Sequence, residues 1–432
     1  MRKHFGWRVR IPVAMLVVAV GLTIAATGFS KTSGTHATAS AAQPCGTGGS
    51  KATGTPILLG GIATKQPGTD FTDITNTAGD YFQCVNDNGG IHGHPIQYTT
   101  LTEATVPAQD AADAKQLIAT DHVLGLVGNT SIIDCAVNGA YYKAQGFSVI
   151  DAGIAEQCYA SPWSAAVNMG PRYSADGATQ TAIKLGAKKI AFDQSDVPGT
   201  SYNVGGSVLI AKAAKVPLVQ LTENAASLNG ETVAEKEVQA AGTGGAVVMV
   251  FTPPVALEIL QGAQKLGLEN KVIWTCATPC NTDFLAAALG PAWNHKLYVN
   301  AEMALASNNG PNSILYRKVM SLYGSNVTGG LGNFSQFGFT AAQIAVKALL
   351  TIKGAYTVKS VNAAFQAVKG YTSDMLCKPW YYGKAAVHLP NNVDRTVWPQ
   401  NGKMVQQAGC FQISAVDPEV KQVRAIEKAQ GL

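Results

Sequence analysis

Residues 124–136, LGLVGNTSIIDCA, combine an apolar run, a glycine and two hydroxyl side chains at the start of a predicted helix. A helix that begins at the carboxyl end of a strand presents unpaired backbone N–H groups and the positive end of its dipole, which together bind anions such as phosphate or carboxylate. The alternative is an ordinary helix cap, in which Thr130 or Ser131 accepts hydrogen bonds from its own helix and nothing else binds. The sequence leaves both interpretations open.

Other residue patterns that perform chemistry are missing or weak. No G-x-S-x-G, Walker A or H-E-x-x-H pattern occurs. His92 and His94 are explained better by a polar turn than by a metal site, which needs further ligands. Asp193 and Asp196 lie close together after a predicted strand, where carboxylates are usually solvated. We therefore expect no catalytic residue, no metal and no cofactor, and we predict that the protein is not an enzyme.

The N-terminus has the pattern of a secretory signal. Four basic residues in the first ten precede an apolar run at 11–29, and ATASAAQ at 37–43 offers small residues for cleavage near Ala41. An uncleaved membrane anchor is the alternative, because the apolar run is long enough to span a bilayer. Five of the 32 basic residues lie in 1–41, which leaves 27 against 27 acidic residues. A neutral mature chain does not indicate a nucleic-acid partner.

The eight cysteines all follow the predicted signal peptide 1–41. An even number of cysteines in an exported chain indicates disulfides. Short spacings favour the pairs Cys135–Cys158, Cys276–Cys280 and Cys377–Cys410, which leaves Cys45–Cys84. A metal or redox pair is the competing interpretation of CATPC at 276–280, but no second ligand pair lies nearby in the sequence.

A chain of 432 residues is long enough for two domains of ordinary size. Residues 42–55 have the composition of a flexible linker, and from Pro56 onward strand and helix patterns alternate. The alternation restarts near Ala175 and continues to the strand KVIWTC at 271–276. It predicts parallel sheets with helices on both faces, which bind ligands at the carboxyl ends of their strands. No later run reaches the length of a membrane span, so we do not expect a channel or permease.

Three stretches resemble the type I periplasmic-binding-protein family, in its branched-chain amino-acid (Leu/Ile/Val-binding) branch. They are CVNDNGGIHGHPIQYTT at 84–100, PAQDAADAKQLIATDHVLGLVGNTS at 107–131 and GFSVIDAGIA at 146–155, and NFSQFGFTAAQIAVKAL at 333–349 is similar to a later family helix. The resemblance implies an α/β Venus-flytrap fold, with two doubly wound parallel-sheet lobes and three hinge crossovers near 171, 303 and 374. Lobe I would comprise 56–171 and 303–374, and lobe II would comprise 172–302 and 375–432.

The resemblance also implies where a ligand binds. In this family the ligand carboxylate is held by loops that match 130–132 and 151–155, largely through backbone groups and a hydroxyl. The implied ligand contacts in this chain are Thr130, Ser131, Ile132, Asp151, Gly153, Ala155, Tyr202, Thr252, Phe334 and Gln336. Simple packing is an equal alternative for Tyr202 and Phe334.

One departure from the family concerns the ligand ammonium group. The amino-acid binders carry an acidic residue after the last strand of the second lobe, whereas this chain has no acid between Val272 and Asp283. An unpaired ammonium in a closed cleft costs several kcal/mol, by order of magnitude. Asp151 is the candidate replacement, and a helix or loop cap is the alternative role for it.

The function expected from the resemblance is that of an exported solute-binding protein. It would capture a small organic ligand, an amino acid or a related amide or carboxylate, and deliver it as a monomer to an ABC transporter permease in the membrane. The alternative is an extracytoplasmic ligand-sensing domain that serves a membrane receptor partner.

Overall fold

The computed structural model describes residues 45–383 and 389–432. The predicted signal peptide and the first residues of the predicted linker lie outside this range. Within the range, no helix combines the length and the apolar composition that a bilayer span requires.

The first lobe is built around a six-stranded sheet. Its elements are, in chain order, β1 (Ile57–Gln66), β2 (Thr69–Asp70), α1 (Thr72–Asp87), β3 (Ile96–Glu103), α2 (Pro107–Lys115), β4 (Gly125–Asn129), α3 (Asp134–Gln145), β5 (Val149–Asp151), α4 (Glu156–Tyr159) and β6 (Ser164–Ala166). Strand β1 lies between β3 and β4, and β5 and β6 continue the sheet in parallel. Only β2 is antiparallel, where it pairs with the end of β1.

The second lobe is built around a seven-stranded sheet. Its first elements are α5 (Gly170–Lys184), β7 (Ile190–Ser195), α6 (Thr200–Ala213), β8 (Leu218–Glu223), α7 (Gly230–Ala241), β9 (Ala246–Val250), α8 (Pro253–Lys265), β10 (Ile273–Cys276), α9 (Asp283–Leu289) and β11 (Leu297–Ala301). The strands β8, β7, β9, β10 and β11 are neighbours in that order and run parallel. The predicted parallel sheets are therefore confirmed in both lobes.

The rest of the chain is shared between the lobes. It forms α10 (Pro311–Tyr323), α11 (Asn333–Leu349), α12 (Val358–Gln366), β12 (Val393–Gln400), β13 (Lys403–Gln412) and α13 (Pro418–Gln430). Helices α10 and α11 pack on α1, whereas β12 and β13 extend the second sheet beyond β11 as antiparallel strands. The sequence patterns did not reveal this antiparallel pair.

The central strands are buried along their whole length. Every residue of β4 and of β9 is buried, as expected for parallel strands that are covered by helices on both faces. Helix α11 approaches α1 so closely that a Cβ at Gly338 would lie 2.0 Å from the Ile74 carbonyl oxygen, and only glycine fits there. Tyr81 and Phe339 pack edge to face beside this contact, with ring centroids 5.1 Å apart.

Four disulfides link the eight cysteines, and they are the pairs that the spacings favour. Cys45–Cys84 ties the start of the described chain to α1, and Cys135–Cys158 joins α3 to α4. The other two are Cys276–Cys280 and Cys377–Cys410. Among the described residues no cysteine is free.

Three segments connect the two sheets, after β6, after β11 and after α12. All strands fall within the residue ranges predicted for their lobes, while the boundaries themselves stay predictions. The C-terminal helix α13 contacts both sides of the hinge. Val420 and Val423 join a core cluster with Tyr142 and Trp163 of the first lobe, and Asp417 pairs with Arg172 at the start of the second.

Candidate functional site

A cleft lies between the carboxyl ends of the two sheets. It contains two adjoining cavities that share Thr69, Thr252, Pro279 and Phe334. The hinge-side cavity, about 770 Å³ including space open to solvent, is lined by crossover residues such as Pro171 and by the strand ends of both lobes. The outer cavity, about 1010 Å³ on the same measure, is lined by 252–255, 328–330 and 332–335 together with the β1–β2 turn.

The walls of the hinge-side cavity are mainly apolar. Four aromatic rings and several aliphatic side chains from both lobes face it: Phe71, Ile74, Ile132, Ile154, Val197, Val250, Phe251, Phe334 and Phe337. Phe334 packs edge to face against Phe71, with centroids 5.3 Å apart. Such a surface favours a ligand with an apolar body, and a few polar groups fix its orientation.

Backbone N–H groups at the start of α3 donate hydrogen bonds to acceptors within the protein. The backbone N–H of Thr130 donates to the Ile62 carbonyl at 2.8 Å, and that of Ile132 donates to Thr64 Oγ1 at 2.9 Å. Ser131 Oγ accepts from the next two N–H groups, those of Ile133 and Asp134, at 3.2 and 3.0 Å. Ser131 therefore satisfies two N–H groups at the start of α3, those of the N-cap residue Ile133 and of Asp134, as in the interpretation without a bound anion.

Thr130 remains available to a ligand. Its Oγ1 is buried, has no hydrogen-bond partner, and the residue lines the hinge-side cavity, as does its neighbour Ile132. Two further acids near this wall, Asp110 and Asp134, are fully buried. Asp134 accepts from Tyr142 Oη at 2.5 Å, and Asp110 accepts from Asn138 Nδ2 at 2.7 Å. Burial and the proximity of Asp134 raise the pKa of Asp110 to about 8. Neither Asp110 nor Asp134 would attract an anionic ligand to this wall.

The loop after β5 places its predicted contacts outside the lining of the cavity. Asp151 is fully buried beside the Cys135–Cys158 disulfide, and its Oδ2 accepts from Ser164 Oγ at 2.5 Å. Burial raises its pKa to about 8. Gly153 lies against Cys158, and its carbonyl accepts from Tyr159 Oη at 2.5 Å. Ala155 precedes α4, and the loop residues that do line the cavity are Ala152 and Ile154.

The other predicted contacts divide into two groups. Thr252 and Phe334 line both cavities. Tyr202 lies outside them, where its hydroxyl donates to Glu419 at 3.0 Å and its ring lies 4.7 Å from the Arg172 guanidinium. Gln336 is also outside, with Nε2 donating to the Ala304 carbonyl at 2.8 Å.

Several polar residues that line the hinge-side cavity escaped prediction, and Glu302 and Gln194 are two of them. Glu302 follows β11 and is 1% exposed, and its carboxylate accepts from the Met169 N–H at the first crossover. Burial, and secondarily the nearby Asp394, raise the pKa of Glu302 well above its ordinary value. Gln194 is the penultimate residue of β7, and its Nε2 donates to the Thr200 carbonyl at 3.0 Å while its Oε1 is buried without a partner. Recognition of LYVNA at 297–301 as a strand would have placed Glu302 at a strand end.

The CATPC turn forms part of the cleft wall and touches the first lobe. Thr278 and Pro279 line the hinge-side cavity, and the Thr278 carbonyl accepts from Asn333 Nδ2 at 2.6 Å. The Asn333 N–H in turn donates to the Asn281 carbonyl at 3.2 Å. On another side of the cleft, Thr252 Oγ1 donates to the Gly68 carbonyl at 3.2 Å. The lobes are therefore in contact across the cleft.

Metal binding has little support in the part of the chain that the structure describes. The potential ligands that come together there are Cys135, Asp151 and Cys158. Both cysteine sulfurs belong to one disulfide, so neither offers the thiolate that binds a metal ion.

Comparison with known proteins identifies solved structures that have the same two-lobed fold. Solved structures that share the fold include a branched-chain amino acid ABC transporter protein from Thermus thermophilus with bound valine, at 16% identity and a TM-score of 0.74 over 87% of this chain and 100% of that one. Another is a solute binding protein of an ABC transporter from R. palustris in complex with 4-hydroxybenzoate, at 16% identity and a TM-score of 0.69 over 85% and 100%.

A possible leucine/isoleucine/valine-binding protein from Rhodopirellula baltica SH 1 also matches, at 16% identity and a TM-score of 0.69 over 82% of this chain and 96% of that one. No curated protein sequence matches the chain. The family model described as periplasmic binding protein matches residues 66–404, well over half of the sequence. The chain therefore belongs to the periplasmic binding protein family.

Proposed function

We propose that this protein is an exported solute-binding protein that captures a small organic ligand with an apolar body and delivers it to an ABC transporter permease. The observation that carries the proposal is the hinge-side cavity, which is lined by strand ends of both lobes. A ligand there touches both walls at once, so it stabilises the closed arrangement more than the open one.

The polar atoms of the cavity support the same role. Thr130 Oγ1 from the first lobe and Gln194 Oε1 from the second are buried and unpartnered. Leaving such groups unsatisfied costs about 1–3 kcal/mol each, so a ligand that bonds to both offsets this cost only when the lobes are closed. This arrangement favours reversible capture.

Export and the class of ligand have separate support. Four disulfides fit an oxidising compartment outside the cytoplasm. Solved proteins with this fold contain valine and 4-hydroxybenzoate, both of which join a compact apolar body to a few polar atoms. The four phenylalanines of the hinge-side cavity suit a ligand of that size and polarity.

Thermal unfolding of the exported and purified protein tests the proposal. After partial unfolding and refolding to remove carried-over ligand, the panel would contain branched-chain and aromatic amino acids, and matched amines, amides and carboxylates with isobutyl or phenyl bodies. A ligand at about 100 times its Kd adds about 2.7 kcal/mol of stability, which raises Tm measurably.

Small-angle scattering on the same samples reports closure. We expect a compound that raises Tm to reduce the radius of gyration as well. A panel in which no compound changes either quantity would contradict the proposed function.

A further inference from the structure

The titratable side chains that line the cleft are acidic. Among the described residues that line either cavity there is no lysine, arginine or histidine. Asp70 and Asp73 face the outer cavity, where Asp70 forms an ion pair with Lys65 at 3.4 Å and Asp73 accepts from the Thr328 and Gly329 N–H groups at 2.8 and 2.7 Å. Glu302 faces the hinge-side cavity.

The acid at the hinge has no basic partner. Glu302 accepts hydrogen bonds from the Met169 N–H and, at 3.5 Å, from Asn391 Nδ2, but it forms no ion pair with any described lysine, arginine or histidine. The charged neighbour that influences it is another buried acid, Asp394. A cationic group on the ligand would supply the missing opposite charge and so stabilise the ionised form of this buried carboxyl.

No positively charged side chain among the described lining residues awaits an anion. At the start of α3, the N–H groups of Thr130, Ile132, Ile133 and Asp134 donate to acceptors within the protein. The fully buried side-chain atoms without a partner on the described walls are an amide oxygen, Gln194 Oε1, and the Thr130 hydroxyl, and neither carries a charge. A bound carboxylate would therefore be desolvated without a compensating charge.

The geometry points to a ligand that is an organic amine without a carboxylate, with Glu302 as its counter-ion and the phenylalanines of the hinge-side cavity around its apolar body. This inference rests on the proposed function. The rings would also contribute, because the face of an aromatic ring attracts a nearby cation. Glu302 would then take the role of the acid that is missing after β10.

Matched compounds that differ in one group test the inference. Benzylamine, benzamide and benzoate share a phenyl ring, and isoamylamine, isocaproamide and isocaproate share a branched alkyl body. Calorimetric titration of the purified protein should show each amine binding at least about tenfold more tightly than its amide and its carboxylate.

Variants separate recognition from structure. Glu302→Gln keeps the shape of the side chain and its acceptor oxygen, and we expect it to weaken amine binding by about tenfold or more while amide binding changes by less than about threefold. Glu237→Gln is the matched control, because Glu237 is 0% exposed, also lacks a basic ion-pair partner among the described residues, and lies on α7 away from both cavities. It should leave all affinities unchanged.

Three outcomes would overturn the inference. Benzoate or isocaproate binding as tightly as the matched amine would contradict it while leaving the solute-binding function intact. Equal losses for amine and amide in Glu302→Gln, with normal binding in Glu237→Gln, would assign Glu302 a structural role. Absence of binding by every compound would contradict the proposed function itself, and the inference with it.

Discussion

At the scale of single residues, Thr130 and Ser131 are adjacent hydroxyl side chains with different partners. Ser131 accepts two N–H groups of its own helix, whereas Thr130 Oγ1 is buried and unpartnered at the cavity wall. Ser131 therefore stabilises the fold, and we propose that Thr130 binds the ligand. Substitution of each should therefore change a different measured quantity.

Ser131→Ala should lower the free energy of unfolding by about 1–2 kcal/mol, because two buried N–H groups lose their acceptor. Thr130→Val keeps the shape and removes only the hydroxyl, so it should weaken ligand binding several-fold with little change in Tm. Urea unfolding and calorimetric titration measure the two effects. Equal stability losses in both variants would contradict this division of roles.

Asp151 gives a pH-dependent contribution to stability. Burial raises its pKa from 3.8 to about 8, so above pH 4 the native state holds a proton that the unfolded state has released. The contribution is complete below about pH 4 and is lost as the pH rises toward about 8. Asp151→Asn, which resembles the protonated form, should therefore make the fall in Tm between pH 5 and pH 8 less steep.

Glu156→Gln is the control for this experiment, because Glu156 is an exposed acid nearby in the chain, at the first position of α4. It should retain the pH dependence of the parent protein. A Tm profile in Asp151→Asn that parallels the parent profile would show that Asp151 does not bind a proton in the native state over this range.

At the scale of elements, the start of α11 joins the lobes. Asn333 donates to the Thr278 carbonyl and accepts from Asn281 Nδ2 at 3.0 Å, so one side chain in the first lobe contacts the disulfide-closed turn of the second. These bonds exist only while the lobes touch. They contribute to the balance between the open and closed forms.

Asn333→Ala should shift this balance toward the open form. We expect the radius of gyration of the free protein to increase, and ligand affinity to fall by up to about tenfold, in proportion to the lost closed population. Asn76→Ala is the matched control, because Asn76 donates to the Asn326 carbonyl at 2.8 Å within the first lobe alone. Identical scattering and affinity in the two variants would refute the role of Asn333.

The elements also show how far the sequence can predict this structure. Buried strands such as AVVMV at 246–250 alternate with helical patterns, and this period predicts the parallel core of both sheets. The antiparallel strands β12 and β13 lie far along the chain from β11, with which β12 pairs, and no local pattern indicates such pairing. Glu302 was missed because LYVNA at 297–301 was not recognised as the strand β11, which Glu302 follows.

The site was harder to predict than the fold, because side-chain direction decides which residues reach the cleft. Thr130 follows β4 and Asp151 ends β5 in the same sheet, yet Thr130 faces the cavity and Asp151 faces Ser164. Sequence position alone does not distinguish these two outcomes. The lining residues Gln194 and Glu302 belong to no recognisable motif.

At the scale of the whole molecule, Arg172 connects the hinge to the C-terminal helix. Its guanidinium donates two hydrogen bonds to Asp417, at 2.9 and 3.2 Å, and a third to the Tyr202 carbonyl at the start of α6 at 3.1 Å. Asp417 is fully buried and Asp176 lies beside it. The pair therefore holds α5, α6 and α13 together.

Arg172→Leu should destabilise the protein by about 3 kcal/mol, because it leaves Asp417 buried without a counter-charge. The double variant Arg172→Leu with Asp417→Asn should recover part of this loss. Urea unfolding of the parent and both variants measures it. A loss below about 1 kcal/mol in the single variant would show that the ion pair contributes little.

The discontinuous lobes have a consequence for the order in which the chain can fold. The first sheet needs α10 and α11 to cover one face, and the second needs β12 and β13 at its edge. A chain that emerges N-terminus first from a ribosome or a translocation pore can therefore complete the first lobe only after residues 311–349 have emerged, and the second only after residues 393–412 have emerged. Its early segments stay open to proteases and to thiol exchange until then, and Cys377–Cys410 is the last bridge that can close.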